Sequence, residues 1–204
     1  HRETTIMDFI EAVNHDMPEL LEIEFTGLYP KGLFVISKED QFRTRKNFAL
    51  LSKDNSVIMK GFDKVLKNTC PLSYLFQKRA ISIILREENV NFAIKQSKEL
   101  ISKVREYKIP LSYFIITAKL LKDIDKYDSN YPYIAAAKRM SNFGHFLKAG
   151  SIVEYVIIKG EGRISDCARL PNEVNINSLD VDYYIEKQMI ASTMHIFELF
   201  GVTK

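Results

Sequence analysis

The chain has 204 residues, 29 of them Lys or Arg against 26 Asp or Glu, with 46% hydrophobic and 27% charged residues. That length can bury a sizeable core in one large domain or two small ones, and the net charge of +3 is too small to name a polyanionic partner by itself. No apolar run approaches the ~20 residues of a membrane span, no signal peptide is visible, and Cys70 and Cys167 lie far apart without metal-ligand spacing, which argues against a disulfide framework or a zinc site and for a reducing, intracellular setting.

In chain order, Thr4 and Thr5 can cap a helix whose Ile6, Phe9, Ile10, Val13 and Met17 share one stripe, stopped by Pro18. Residues 19–37, ELLEIEFTGLYPKGLFVIS, read as strand, turn, strand. Leu21, Ile23 and Phe25 alternate with Glu22 and Glu24, Tyr29-Pro30-Lys31-Gly32 is turn chemistry, and Leu33-Phe34-Val35-Ile36 runs apolar as a strand buried on both faces would. Residues 38–45 form a polar loop, 47–52 a third strand, 53–56 a turn and 57–59 a fourth strand. The first sixty residues are thus predicted to be one helix on a small antiparallel sheet.

After Gly61 the pattern turns helical. One helix is predicted over 72–85 with Leu72, Leu75, Phe76 and Ile83 on a common side. A second is capped by Asn89 and buries Phe92, Ala93, Ile101 and Val104. Pro110 ends that region; 113–116 is a short strand, 127–131 turn-rich, 133–140 a helix and 152–158 (IVEYVII) a strand closed by Lys159-Gly160-Glu161-Gly162. Asp180 or Asp182 caps a last helix reaching about Leu199. The expected class is α+β, a small antiparallel sheet with a helix followed by a mainly helical part with short strands, and the domain cut falls between 1–61 and 62–204.

Two Asp-x-Asp pairs are metal candidates, Asp123-Ile124-Asp125 and Asp180-Val181-Asp182. The first sits among Lys119, Lys122 and Lys126, as a solvated charge run does, and the second at a helix start, where capping favours aspartate. Structural roles are expected for both. The four histidines have no partner spacing, and Gly160-x-Gly162 leads into no helix, so no phosphate loop is implied. Basic residues carry more information. Arg43, Arg45 and Lys46 cluster with Phe42 and Phe48, and Lys60, Lys64 and Lys67, Lys78-Arg79 and Lys138-Arg139 follow. Basic residues interleaved with aromatics fit a surface that tracks a nucleic-acid backbone. An ordinary solvated face fits the same charges.

The ordered set Leu21-Glu22-Ile23-Glu24-Phe25, Gly27-Leu28-Tyr29, Lys31-Gly32-Leu33-Phe34-Val35, Arg45-Lys46-Asn47-Phe48-Ala49 and Lys60-Gly61-Phe62-Asp63-Lys64-Val65 resembles the last palm strands and thumb entry of family B DNA polymerases, archaeal ones above all. The resemblance runs on through Pro132-Tyr133-Ile134-Ala135-Ala136-Ala137-Lys138-Arg139, residues 150–162, Arg163-Ile164-Ser165-Asp166 and Tyr183-Tyr184-Ile185-Glu186-Lys187-Gln188. It implies that residues 1–61 are the C-terminal part of a palm and 62–204 a thumb. The chain opens on His1 rather than Met and lacks the family's Asp-Thr-Asp motif, so a cut piece or a split-enzyme subunit is expected.

The resemblance further implies template-directed nucleotidyl transfer with Mg2+ in the complete enzyme, none of it bound by this chain alone, and no activity of the chain by itself. Lys46 and Phe48 match a Lys-x-Tyr motif that contacts the primer–template duplex; Phe48 lacks the hydroxyl. Arg45, Lys60, Lys67, Lys122 and Arg163 complete the DNA-binding set. Glu22 and Glu24 match acidic positions beside the catalytic carboxylates, while a further glutamate is Thr26 here. Leu66-Lys67-Asn68 stands for Arg-Arg-Asp, Leu121-Lys122 for Thr-Arg and Pro132-Tyr133-Ile134 for Pro-His-Val; each lost arginine removes a planar phosphate contact. Implied partners are primer–template DNA, deoxynucleotides, the remaining polymerase domains or a large subunit, and a sliding clamp, with no membrane. The competing expectation is a degenerate, non-catalytic module that binds DNA or proteins.

Overall fold

The structure, a computed structural model, describes residues 2–18, 20–35, 47–62 and 68–203. The predicted loop 38–45 lies outside them. Helix α1 (Arg2–His15) comes first. Its predicted stripe is half-buried at Ile6, Ile10, Val13 and Met17 but 68% exposed at Phe9, and none of its described residues joins either core.

Residues 21–29 are irregular rather than the predicted strand. A strand needs a neighbour for its backbone groups, and at Ile23 a side chain takes that place. The Asn14 amide donates to the Ile23 carbonyl at 2.9 Å, and the Ile23 N–H donates to Asn14 Oδ1 at 2.8 Å. The alternation at 21–25 would put Leu21, Ile23 and Phe25 on one buried face, but Leu21 and Ile23 are exposed and Phe25 is only half-buried.

Strands β1 (Lys31–Val35), β2 (Asn47–Leu51) and β3 (Val57–Lys60) form one antiparallel sheet in that order. Lys31 and Gly32, expected in a turn, open β1 instead. The β2–β3 turn closes as predicted. Asn55 takes a φ of 66°, and Asp54 Oδ1 accepts from the Ser56 N–H at 3.1 Å and its hydroxyl at 2.8 Å. These bonds hold the Asp54 carboxyl below its ordinary pKa.

Helix α2 (Pro71–Glu87) and α3 (Val90–Arg105) form an antiparallel pair. Asn89 caps α3 as predicted, its Oδ1 accepting from the Phe92 N–H at 2.9 Å. The buried side of α3 is Ala93, Ser97 and Val104, while Phe92 is exposed. On α2, Leu75 is exposed, and the polar Ser73 and Gln77 are buried beside Leu72 and Phe76. After Pro110 a 3-10 turn (Leu111–Phe114) replaces the strand expected over 113–116, with the Tyr113 N–H bonded to the Pro110 carbonyl. A short apolar run fits either form.

Strands β4 (Ile116–Lys119), β5 (Ile152–Ile157) and β6 (Ala168–Arg169) make a second antiparallel sheet, with α4 (Pro132–Asn142) between β4 and β5. Asp180 caps α5 (Val181–Tyr183), its Oδ1 accepting from the Tyr183 N–H at 3.0 Å. The chain continues through a π-helical stretch (Tyr184–Ile190) into α6 (Ala191–Glu198).

Two cores meet at α2. Its first turns, with Leu72 and Phe76, pack on the second sheet's Tyr155, Val156 and Ile157 and on Tyr184 and Met189. Its later turns, with Ala80, Ile81, Ile84 and Leu85, pack on Val35, Ala49, Leu51 and Met59 of the first sheet. Arg86 on α2 donates to the Asn55 carbonyl at 2.8 and 3.1 Å, and Lys31 pairs with Glu88 at 2.5 Å. Among the described residues the first sheet is thus fixed to α2 by one face, while the other is exposed at Phe34, Ile58 and Lys60 and half-buried at Phe48 and Leu50.

Candidate nucleic-acid interface

Alternation along the strands sorts the first sheet's side chains. Leu33, Ala49 and Met59 form a cross-strand row toward α2. The next row, Phe34, Phe48 and Lys60, projects from the opposite face across all three strands. Beside it lies Gly32, Leu50 and Ile58. The Phe34 and Phe48 rings are 6.0 Å apart between centroids and tilted by 34°. Phe34 is 66% exposed and Lys60 is exposed at the row's end.

Gly32 matters to this arrangement. A Cβ there would come within 3.0 Å of Phe34 Cε2 and 3.1 Å of Leu50 Cδ2. The absent side chain lets the Phe34 ring lean along the sheet toward its partner row. This face therefore offers two aromatic rings, two aliphatic side chains and an ammonium at the edge. Such a surface can lie against sugars and base edges through the rings while the ammonium takes a phosphate.

The structure places the predicted site residues unevenly. It brings Phe48 and Lys60 together as direct cross-strand partners. Arg45, Lys46 and Lys67 lie outside the described residues, as do Phe42, Arg43 and Lys64. Lys122 follows β4, and Arg163 precedes the 3-10 turn (Ile164–Cys167) that leads into β6, so they lie beyond opposite ends of the β4–β5 pair, where Lys119 meets Ile152 and Ile116 meets Tyr155. Arg163 is exposed and shares its charge with Asp166, Nε to Oδ2 at 3.4 Å. Glu22 and Glu24 are exposed on the irregular segment, not on a strand. Phe34 was not among the predicted contacts. Its apolar run resembles a fully buried strand, and only the pairing shows that one side of that strand faces away from α2.

The Lys122 end of the second sheet is also aromatic. Lys122 Nζ sits 4.9 Å from the Tyr127 ring centroid, Tyr127 meets Tyr133 edge-on at 6.1 Å, and Tyr133 stacks on Tyr131 at 6.0 Å and 7°. Desolvation raises the Tyr133 pKa. Both Asp-x-Asp pairs have structural partners. Asp123 accepts from Lys126 Nζ at 2.8 Å and from the Ala149 N–H at 3.0 Å, which holds its carboxyl below the ordinary range. Asp180 caps a helix, and Asp182 lies 3.9 Å from Arg105. Among the described residues no group of three or more His, Cys, Asp or Glu side chains is placed to hold a metal ion. Nor is any helix of the described residues long and apolar enough to cross a membrane.

Comparison with known proteins gives a consistent result. The profile of DNA polymerase family B matches residues 4–200. A DNA polymerase of Methanocaldococcus jannaschii is 34% identical over 198 residues, covering 97% of this chain and 12% of that protein. One from Pyrococcus glycovorans is 30% identical over 200 residues, covering 97% of this chain and 25% of that protein. Among solved structures, the family B DNA polymerase of the hyperthermophilic archaeon Pyrobaculum calidifontis superposes with a TM-score of 0.72 at 28% identity, over 98% of this chain and 25% of that one. The chain thus spans a quarter or less of the length of these relatives.

Proposed function

We propose, from the premise that this chain belongs to DNA polymerase family B, that it grips the primer–template duplex for a DNA-directed DNA polymerase. One observation carries the reading: the Phe34–Phe48–Lys60 row stands on the sheet face away from α2, with Phe34 and Lys60 exposed, while the face toward α2 is buried. Rings and an ammonium in one row suit a duplex, whose sugars and phosphates they can meet. Residues 1–61 act as the C-terminal part of the palm and 62–204 as the thumb. Arg45, Lys46, Lys60, Lys67, Lys122 and Arg163 contact phosphates, which fixes position on the duplex largely independent of sequence.

Nucleotidyl transfer from deoxynucleotides is the activity of the whole enzyme, in an intracellular setting. Its magnesium ligands come from outside the described residues, and the chain alone does not polymerise. Glu22 and Glu24 are supporting carboxylates at most. The remaining polymerase domains, or a large subunit, and a sliding clamp are the further partners.

The test is duplex affinity against salt for the full-length protein and for Lys60→Ala. Losing one phosphate contact should make the slope of log K on log salt shallower by about 0.9, with similar effect on unrelated sequences. An unchanged slope removes Lys60 from the interface. A wild-type protein that does not bind duplex at all overturns the reading.

A further inference from the structure

We propose that Tyr127 is a positioning residue that holds Lys122 toward the duplex, an inference that rests on Lys122 being a DNA contact. Tyr127 is buried, and its one side chain holds Lys122 in two ways. The hydroxyl oxygen accepts the Leu121 N–H at 2.8 Å and the Lys122 N–H at 3.3 Å, which fixes the backbone just past β4. The ring face lies under the ammonium of the same lysine, 4.9 Å from Nζ to the centroid. Tyr127 is in turn braced edge-on by Tyr133, and Tyr133 by the stacked ring of Tyr131.

The chemistry explains why a lysine needs this help. Lysine is a point charge on a flexible stem, whereas a guanidinium is a planar, pre-organised fork. An ammonium over a tyrosine ring keeps its attraction to that face while its other N–H groups remain free for a phosphate. The neighbouring carboxylate does not compete. Asp123 is engaged by Lys126 and by the Ala149 N–H, with Lys148 also close. Asp125 is exposed and acts on Lys126. The Lys122 charge is therefore left to an incoming anion.

The test is a double-mutant cycle in the full-length protein, reading anisotropy of a labelled primer–template duplex across a salt series. Lys122→Ala should lower the salt slope by about 0.9. Tyr127→Leu removes ring and hydroxyl together, and should weaken binding about two- to fivefold with a slope moved toward that of Lys122→Ala. Tyr127→Phe keeps the ring and loses only the hydroxyl, which accepts the two backbone N–H groups and also meets Tyr133, so it reports on positioning even where the leucine variant folds poorly. In the Lys122→Ala background either Tyr127 change should have almost no further effect, and Lys122→Arg should restore the slope. Independent, multiplying effects of the two residues overturn the inference while leaving the duplex reading intact. A wild-type protein without duplex binding removes both.

Discussion

Replacing Gln188 tests the junction that joins α2 to the last helix. The π-helical stretch carries the Gln188 side chain to the residues that lead into α2. Its Oε1 accepts from the Cys70 N–H at 3.2 Å, and its Nε2 donates to the Asn68 carbonyl at 3.1 Å and faces Tyr183 Oη at 3.3 Å. The Ser73 hydroxyl donates to the Gln188 carbonyl at 2.8 Å, and Gln77 Nε2 donates to the Ser192 carbonyl at 2.5 Å. Gln188→Ala leaves the Cys70 N–H without its acceptor. Cys70 is fully buried, so water cannot replace that acceptor, at a cost of about 1–3 kcal/mol. Asn68 is exposed and its carbonyl can turn to water at little cost. Losing the buried methylene adds ~0.8 kcal/mol, for a total of about 2–4 kcal/mol. That is a large share of the 5–15 kcal/mol typical of a folded domain.

Urea unfolding followed by far-UV circular dichroism measures this directly, with the m-value checked for constancy. Gln188→Glu sharpens the argument. A carboxylate still accepts from Cys70 but presents charge to the Asn68 carbonyl, so burial should raise its pKa. A raised pKa means the variant is most stable below the ordinary glutamate value and loses stability as pH rises toward neutrality. A Gln188→Ala cost under about 0.5 kcal/mol, or a Gln188→Glu variant indifferent to pH, refutes the assigned network.

Three further outcomes follow from other parts of the chain. Phe48→Tyr restores the hydroxyl that the family resemblance expects; stability should hold within about 0.5 kcal/mol while duplex affinity rises about two- to tenfold, and unchanged affinity in a binding assay takes Phe48 out of the interface. Asn89→Ala should cost about 1 kcal/mol by thermal or denaturant unfolding through loss of the α3 cap, while Asn89→Asp should not; equal losses in both refute a capping role. Burial pushes the Cys70 thiol up from its ordinary value of 9.0 to about 11, so its neutral form is favoured in the folded protein. The Cys70 contribution is complete below pH ~9 and lost between about 9 and 11, up to about 2–3 kcal/mol, and Cys70→Ala should flatten the alkaline limb of the stability curve measured by urea unfolding across pH. A limb as steep as the wild type assigns the loss to other groups.

What the sequence determined by itself is local. Asn89 and Asp180 cap the helices predicted for them, because a cap is a contact between residues three apart. The β2–β3 turn is written in Asp54 and Asn55, and β5 in a run of branched residues. Family membership was legible because many short matches recur in one order along the chain.

What only the tertiary structure decided is which neighbour each surface meets. Alternation at 21–25 promised a strand with one buried face, but the Asn14 amide takes both backbone groups of Ile23. The run at 33–35 promised burial on both faces, yet α2 covers only one, which puts Phe34 on the far side with Phe48 and Lys60. Ser73, Gln77 and Gln188 look like surface residues in sequence and are buried because they bond to one another's helices across more than a hundred residues. A side-chain pattern fixes how many faces an element has. Which face is covered depends on long-range packing partners, and those are set by the free energy of the whole fold rather than by any local stretch.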